Sequence, residues 1–159
     1  MSLPTNKQVK DLFDGLLGRP CTISDAADQL SPDASPAPAY AVYVTDDGRV
    51  SSVVMMEFAL AAYTGAALAL IPPGGAEAAV EDKVLPASLM ENTAEVLNVL
   101  ASPLGDARGR HQRLESTYGP HDDVPAGVKA NAATLGLRAD MVIEVGGYGS
   151  GRLAVVAAV

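Results

Sequence analysis

The chain has 159 residues, of which 48% are hydrophobic, and this length suits a single domain with a sizeable core. Its net charge of −8 argues against binding to a nucleic-acid phosphate backbone or to an anionic membrane surface, because both need a basic face. The single cysteine, Cys21, excludes a disulfide within the chain and is expected to be a small buried apolar residue.

The first forty residues predict a helix, a short strand and a loop. Apolar residues keep a period of 3.6 over residues 5–17, and Gly18 is placed to end that helix. A short strand is predicted at 21–24, and the prolines of the 31–38 segment favour a loop. Because the N-terminal sequence MSLPTNKQVK lacks an apolar stretch, we expect no secretory signal and a cytoplasmic location.

Residues 39–56 predict a β-hairpin. Apolar residues alternate on both sides of Asp46-Asp47-Gly48, and glycine tolerates the positive φ that such a turn needs. We therefore interpret the two aspartates as turn residues, the alternative being a metal site.

Three helices are predicted after the hairpin. The first, at 57–71, is apolar nearly all round and is expected to be buried, while its length is too short for a membrane span. A Pro-Pro-Gly-Gly sequence ends it, and a short second helix is predicted at about 76–82. The third is predicted at 86–102, because proline suits a first turn and Pro103 and Gly105 follow its end.

The rest of the chain predicts a loop, strands and one more helix. The stretch at 104–113 is basic, and we interpret it as a solvated loop that enters a strand. Its arginines are Arg108, Arg110 and Arg113. The elements expected after it are a strand at 111–118, a short helix capped by Asp122, Asp123 and Pro125 that ends near residue 135, and two apolar strands at 140–145 and 152–159.

These elements predict an α+β fold, in which an antiparallel or mixed sheet built from hairpins carries helices packed on one face. We expect a single domain overall. Residues 1–38 would form an N-terminal helix and a Pro/Ser-rich loop packed on the domain, and residues 39–159 would form the α+β domain itself.

Four polar residues form a stripe along the 86–102 helix. At 100° per residue, Glu91, Glu95, Asn98 and Ser102 fall on one narrow side, opposite an apolar side. Stability does not explain the stripe, because two like charges four residues apart cost about 0.2–0.5 kcal/mol and asparagine is a mediocre helix former. An acid and an amide one turn apart are suited to grip a partner or a water bound to it. The alternatives are paired carboxylates for acid–base chemistry and a solvated acidic face.

Two other patterns are candidate sites. The glycine-rich segment 146–151 would cradle phosphate only if a helix followed it, and the residues after it read as a strand, which favours a hairpin turn. His121 lies beside two aspartates, but no third metal ligand stands at a diagnostic spacing, and His111 and His121 are interpreted as surface or loop residues.

The surroundings of the polar stripe resemble the CheC/CheX/FliY chemotaxis phosphatases. That family carries an acid or serine, a glutamate four residues later and an asparagine three residues after that, with a proline about two dozen residues further on. Glu91, Glu95, Asn98 and Pro120 follow this pattern, although position 91 usually holds aspartate or serine. One copy of the motif is visible, as in the CheX type, and the resemblance covers about residues 39–159.

The resemblance implies a specific activity, the removal of the phosphoryl group from the aspartate of a phosphorylated receiver domain. Asn98 would orient a water for in-line attack, Glu95 would pair with the receiver's lysine, and Glu91 and Ser102 would contribute to binding. The Mg²⁺ would belong to the receiver, so the resemblance implies no cofactor of this chain's own.

Two further functions are compatible with the sequence. One is a catalytically inactive binding or dimerisation module on the same fold, in which the apolar strand at 153–159 would pair with a second copy if it lay at a sheet edge. The other is a small-molecule sensor with a pocket between the 57–71 helix and the sheet.

Overall fold

The computed structural model describes residues 3–158, which form six strands and six helices. The strands are β1 (Cys21–Asp25), β2 (Ala39–Val44), β3 (Val50–Met56), β4 (Arg113–Tyr118), β5 (Arg138–Val145) and β6 (Gly149–Ala157). The helices are α1 (Asn6–Leu17), α2 (Phe58–Leu68), α3 (Pro73–Asp82), α4 (Ala87–Val99), α5 (Ala101–Arg108) and α6 (Ala126–Ala132).

All six strands belong to one antiparallel sheet with the order β1-β5-β6-β3-β2-β4. The α+β prediction is confirmed, and both predicted hairpins, β2–β3 and β5–β6, are present. Strand β1 pairs with β5, so the N-terminal segment supplies an edge strand of the same sheet.

The β2–β3 turn shows why the aspartates occur there. Gly48 has a φ of 82°, and the Thr45 N–H donates to the Arg49 carbonyl at 2.9 Å. The Asp47 carboxylate accepts hydrogen bonds from the Thr45 hydroxyl and the Arg49 N–H. The hydrogen bond from Thr45 is the main reason that the pKa of Asp47 is lowered. The interpretation of Asp46-Asp47 as a turn is confirmed.

Strand β6 lies inside the sheet, between β5 and β3. Val156, for example, is paired with Arg138 on one side and with Val53 on the other. Both rows of backbone hydrogen-bonding groups are therefore used, and the edge position that residues 153–159 would need to pair with a second copy is not the one they occupy. The edge strands are β1 and β4.

The two faces of the sheet are covered differently. Alternate residues of β3 point to opposite sides, and Val54 and Met56 join the larger core under α1, α2 and α4. Val53 and Met55 join a smaller core on the other face, where α6 and the loop after β1 provide the cover. The helical layer on one face is present as predicted, and α6 adds a partial second layer.

The helix that carries the polar stripe is longer than predicted. Helical structure continues through α5 to Arg108, where a loop was expected, with a break at Leu100. Pro103 causes the break, because it has no N–H to bond the Val99 carbonyl, yet it is tolerated in the first turn of α5. Gly105, expected past the helix end, lies inside α5.

Two smaller corrections concern helix ends. Pro73 begins α3 rather than preceding it, in the first-turn position where its missing N–H costs nothing. Helix α6 ends at Ala132, and neither Asp122 nor Asp123 caps it. Pro125 occupies the cap position instead, and the Asp122 carboxylate accepts a hydrogen bond from the Gly119 N–H.

The space between α2 and the sheet is filled. A Cβ on Gly151 of β6 would lie 2.7 Å from the Leu60 Cβ, so the helix backbone rests directly on the strand. Within residues 3–158, this contact leaves no room for the sensor pocket that was expected between α2 and the sheet. Cys21 is buried, as predicted. Among residues 3–158, no helix has the length and apolar character needed to cross a bilayer.

Candidate functional site

Helix α4 is fixed to its neighbour α2 by polar contacts as well as by apolar packing. The Thr93 hydroxyl donates to the Ala61 carbonyl at 2.7 Å, and the Asn92 amide donates to the Gly65 carbonyl at 3.1 Å. The two backbones approach so closely that a Cβ on Gly65 would lie 2.3 Å from the Leu89 carbonyl oxygen. These contacts set the rotation of α4 about its axis.

A third contact joins α4 to the sheet near its C-terminal end. The Tyr43 hydroxyl, on β2, donates to the Leu97 carbonyl at 2.7 Å. Burial raises the pKa of Tyr43 well above its ordinary value, so the phenol stays a hydrogen-bond donor at any physiological pH. The backbone next to Asn98 is thereby held from inside the protein.

The opposite side of α4 faces solvent. Glu91, Glu95, Asn98 and, on α5, Ser102 are all exposed, as the 100° spacing predicts. Within residues 3–158, none of these side chains makes a hydrogen bond or an ion pair with another part of the chain. An acid and a carboxamide one turn apart therefore project outward with their hydrogen-bonding capacity unused, and the roles assigned to them from the sequence remain predictions.

Two members of the stripe open onto a groove. Asn98 and Ser102 line a cavity of about 750 Å³ between the α4–α5 junction and the chain that follows α5. The two glutamates lie further along α4, outside its lining. The other lining residues are Val99, Ala101, Gly105, Asp106, Gly109, Arg110, His111, Gln112 and Arg113.

The far wall of the groove is held in place by Gln112. This side chain is only 3% exposed; its carbonyl oxygen accepts from the Ser52 hydroxyl at 3.1 Å, and its amide donates to the Leu104 carbonyl at 3.4 Å. Gly105 allows the close approach, because a Cβ there would lie 2.8 Å from the Arg110 carbonyl oxygen. Sequence reasoning missed this anchor, and a lone glutamine in a basic stretch gives no signal that would reveal it.

Pro120, the proline of the motif pattern, lies in a loop beside the N-terminal end of α4. His121 Nε2 accepts a hydrogen bond from the Leu85 N–H at 2.9 Å, just before the helix begins. A Cβ on Gly119 would lie 3.3 Å from Met90 of α4. His121 is thus a structural contact of α4, and no cluster of three or more potential metal ligands occurs in the described range 3–158.

The glycine-rich turn is used for packing. It joins β5 to β6, and no helix follows it, so the hairpin interpretation is confirmed. A Cβ on Gly149 would lie 2.7 Å from the Tyr63 ring, and Tyr148 donates from its hydroxyl to the Ile71 carbonyl. The Arg19 guanidinium lies 4.6 Å from the centre of the Tyr148 ring. Close approach to α2 explains Gly149 and Gly151, close approach to the Pro20 carbonyl explains Gly146, and Gly147 has a positive φ of 83°.

Comparison with solved structures identifies the fold. FliM in the FliM–SpeE complex from H. pylori matches with a TM-score of 0.69 and 8% identity, over 96% of this chain and 81% of that chain. FliY from Thermotoga maritima gives 0.57 and 15% identity, over 94% and 82%. A CheC-like superfamily protein from Shewanella sp. PV-4 gives 0.57 and 8%, over 94% and 91%.

The chain therefore has a CheC/CheX/FliY-like fold, which includes the FliM middle domain, and the likeness extends to the N-terminal segment as well as to residues 39–159. No protein-family model matches the sequence, and no curated protein matches it either. At these identities the comparisons establish the fold alone, and any function has to be argued from the side chains.

Proposed function

We propose that this CheC/CheX/FliY-like protein hydrolyses the aspartyl phosphate of a receiver domain in two-component or chemotaxis-type signalling. The observation that carries the proposal is the outward projection of Glu95 and Asn98 from a helix whose other side is fixed. Neither side chain has a partner within the described chain, so both are available to a docked protein.

The proposed reaction needs little from this chain beyond positioning. Water attacks the phosphorus in line, the bond from phosphorus to the aspartyl oxygen breaks, and the products are inorganic phosphate and a free aspartate carboxylate. The Asn98 carboxamide can accept a hydrogen bond from that water through its oxygen and so hold it along the line of attack. The Mg²⁺ that neutralises the phosphoryl oxygens would be held by the receiver.

The other stripe residues would fix the docking. The Glu95 carboxylate, one turn before Asn98, can form an ion pair with the lysine of the receiver. Ser102 lies one turn after Asn98 in the groove, and Glu91 lies one turn before Glu95. Both would contact the rim of the receiver's site. Position 91 holds glutamate where the resemblance expects aspartate or serine, and we assign Glu91 a role in binding rather than in catalysis.

The test is phosphate release from receiver domains phosphorylated with a small-molecule phosphodonor in Mg²⁺. We expect Asn98→Ala to lower the rate at least about tenfold, which corresponds to about 1.4 kcal/mol of barrier. Its unfolding free energy should stay within about 0.5 kcal/mol of the wild type, because the side chain is exposed. Asn131→Ala, on α6, is the matched control. If wild type and Asn98→Ala are equally without effect on phosphate loss from every receiver, the proposal is refuted.

A second candidate is a binding module without catalysis, and one observation favours it. The FliM chain of the FliM–SpeE complex gives a higher TM-score than the FliY and CheC-like structures do. In this alternative the same fold holds a protein partner and releases no phosphate. Tight binding of a phosphorylated receiver by both wild type and Asn98→Ala, with no hydrolysis by either, would select it.

The oligomeric state of this protein is independent of its proposed partner, a phosphorylated receiver. Since β6 is internal, a homodimer built by strand pairing would have to use an edge strand, β1 or β4. Measurement of solution mass by light scattering decides between a monomer and a dimer.

A further inference from the structure

The groove beside Asn98 carries a charge opposite to that of the molecule as a whole. The chain has a net charge of −8, yet the groove is lined by two guanidinium groups, those of Arg110 and Arg113 on its far wall, and by one carboxylate, that of Asp106 on α5. The two arginines make no hydrogen bond or ion pair through their side chains within residues 3–158. They are basic groups without an internal partner, on an acidic protein.

The local fold presents these arginines outward. Gly109, with a φ of 72°, ends α5 and turns the chain back along it. Gln112 is buried and tied to Ser52, whereas Arg110, His111 and Arg113 around it are exposed. The His111 Nδ1 lies 2.8 Å from an Asp46 carboxylate oxygen, which anchors that side chain to the β2–β3 turn. Within residues 3–158, the side chains of Arg110 and Arg113 have no such anchor.

The floor of the groove suits a protein partner better than a small ion. Val99, next to Asn98, is 44% exposed there, and Ala101 lies beside it. An apolar centre with a charged rim is typical of protein interfaces. The volume of about 750 Å³ accommodates several side chains of a docked partner.

We propose that this groove receives the acidic rim of the partner's phosphorylation site, and that Arg110 and Arg113 select the partner. The inference rests on the proposed function, because Asn98 lines the groove and would bring the phosphoryl group to its edge. A phosphoryl group and the carboxylates that hold Mg²⁺ give that rim a negative charge. Without a local basic wall, a partner of this kind would be repelled by a chain of charge −8.

The contribution of the arginines is docking. Charges at the rim of an interface speed encounter and exclude partners of the wrong sign, while they change the reaction of the bound complex little. The expected signature is therefore a change in the receiver concentration needed for half-saturation, with the rate at saturation unaltered. Asn98 should show the reverse pattern.

The experiment titrates receiver domains loaded with beryllofluoride and Mg²⁺, which mimic the phosphorylated state without turning over, and then repeats the titration with the phosphorylated receivers. We expect R110E/R113E to weaken binding about tenfold or more, with the saturated rate of phosphate release unchanged. The milder R110Q/R113Q should fall between it and the wild type. K7E/K129E, which changes the net charge equally on exposed residues outside the groove, should bind as the wild type does.

The outcomes separate the two proposals. If K7E/K129E and R110E/R113E bind equally well, the groove proposal is overturned, while a loss of hydrolysis in Asn98→Ala still supports the phosphatase. If the wild type releases phosphate no faster than the receiver does alone, the phosphatase proposal fails, and a binding loss confined to the arginine variants still supports the groove as the docking surface. If no receiver binds, both are overturned.

High salt should weaken wild-type binding more than binding by R110E/R113E.

Discussion

Tyr43 and Leu97 are joined by a hydrogen bond that ties strand β2 to the residue before Asn98. The phenol is fully buried, and its 2.7 Å contact fixes the height of α4 above β2 at the point where the candidate site lies. This hydrogen bond fixes the helix backbone next to Asn98 from its buried side.

We expect Tyr43→Phe to lower the unfolding free energy by about 1–2 kcal/mol, because it removes the donor and leaves a buried carbonyl with one hydrogen bond fewer. Urea denaturation measures this loss. Tyr40→Phe is the control on the same strand, since the Tyr40 hydroxyl makes only a 3.4 Å contact with the Pro32 carbonyl and should cost less. Equal losses of unfolding free energy in the two variants would show that the hydrogen bond to Leu97 contributes no more to stability than the contact between Tyr40 and Pro32 does.

Gly65 should be intolerant of any side chain. Gly65→Ala places a Cβ 2.3 Å from the Leu89 carbonyl oxygen and pushes α4 away from α2, at a cost of about 2 kcal/mol or more. Gly15→Ala is the matched control, because Gly15 lies within α1 with nothing near its Cβ position, and it should stabilise the protein by about 0.5–1 kcal/mol. Thermal unfolding of the two variants should shift in opposite directions. A shift in the same direction would contradict the packing described.

Arg138 and Asp140 form a buried ion pair on the second face of the sheet. The guanidinium also donates to the carbonyls of Ala132, Thr134 and Leu30, and so joins α6 and the loop after β1 to β5. Arg138→Met leaves the Asp140 carboxylate buried without its partner and should cost about 3–5 kcal/mol.

Chemical denaturation measures this cost. Arg49→Met is its control, because Arg49 lies 3.8 Å from Asp47 in an exposed pair that should contribute less than about 1 kcal/mol. If Arg138→Met costs no more unfolding free energy than the control does, the Arg138–Asp140 ion pair does not stabilise the packing on the second face of the sheet.

Asp14 should make stability depend on pH. A hydrogen bond from Lys10, and a second from the Cys21 N–H, lower the pKa of Asp14 below its ordinary value of 3.8. A carboxylate with a lowered pKa stabilises the folded state above the unfolded pKa and loses that contribution as the pH falls through the folded value. Asp14→Asn should therefore be less stable than the wild type at pH 7, and the difference should shrink as the pH falls below about 4.

Denaturation midpoints at neutral and acidic pH test this dependence. Lys10→Met provides the comparison, because it removes the first hydrogen bond to Asp14 and leaves the one from Cys21 in place. A difference between Asp14→Asn and the wild type that is the same at both pH values would refute the linkage.

Local chemistry made much of the architecture predictable. The period of 3.6 in the first helix, the alternation around Gly48 and the glycines of the last turn each specify an element without reference to the rest of the chain, and all three elements form where expected. The polar stripe was predictable for the same reason, because the positions of Glu91, Glu95 and Asn98 around a helix follow from its geometry alone.

Other features depend on contacts that lie far apart in the sequence. The helix continues past Pro103 because a first turn does not need the missing N–H, and the loop expected there becomes one wall of a groove. Strand β6 ends in apolar residues that suit a central strand, and the fold decides that its neighbours there are β3 and β5. Gln112 is an anchor only because the fold brings Ser52 to it.

The sequence by itself determined most of the helices and strands and which side chains share the exposed side of α4, because periodicity and turn chemistry act over a few residues. Tertiary structure alone decided that Asn98 opens onto a groove with a basic wall and that Tyr43 holds the helix behind it. Tyr43 and Leu97 are 54 residues apart in the sequence, and the groove forms only where the chain after α5 folds back beside the helix.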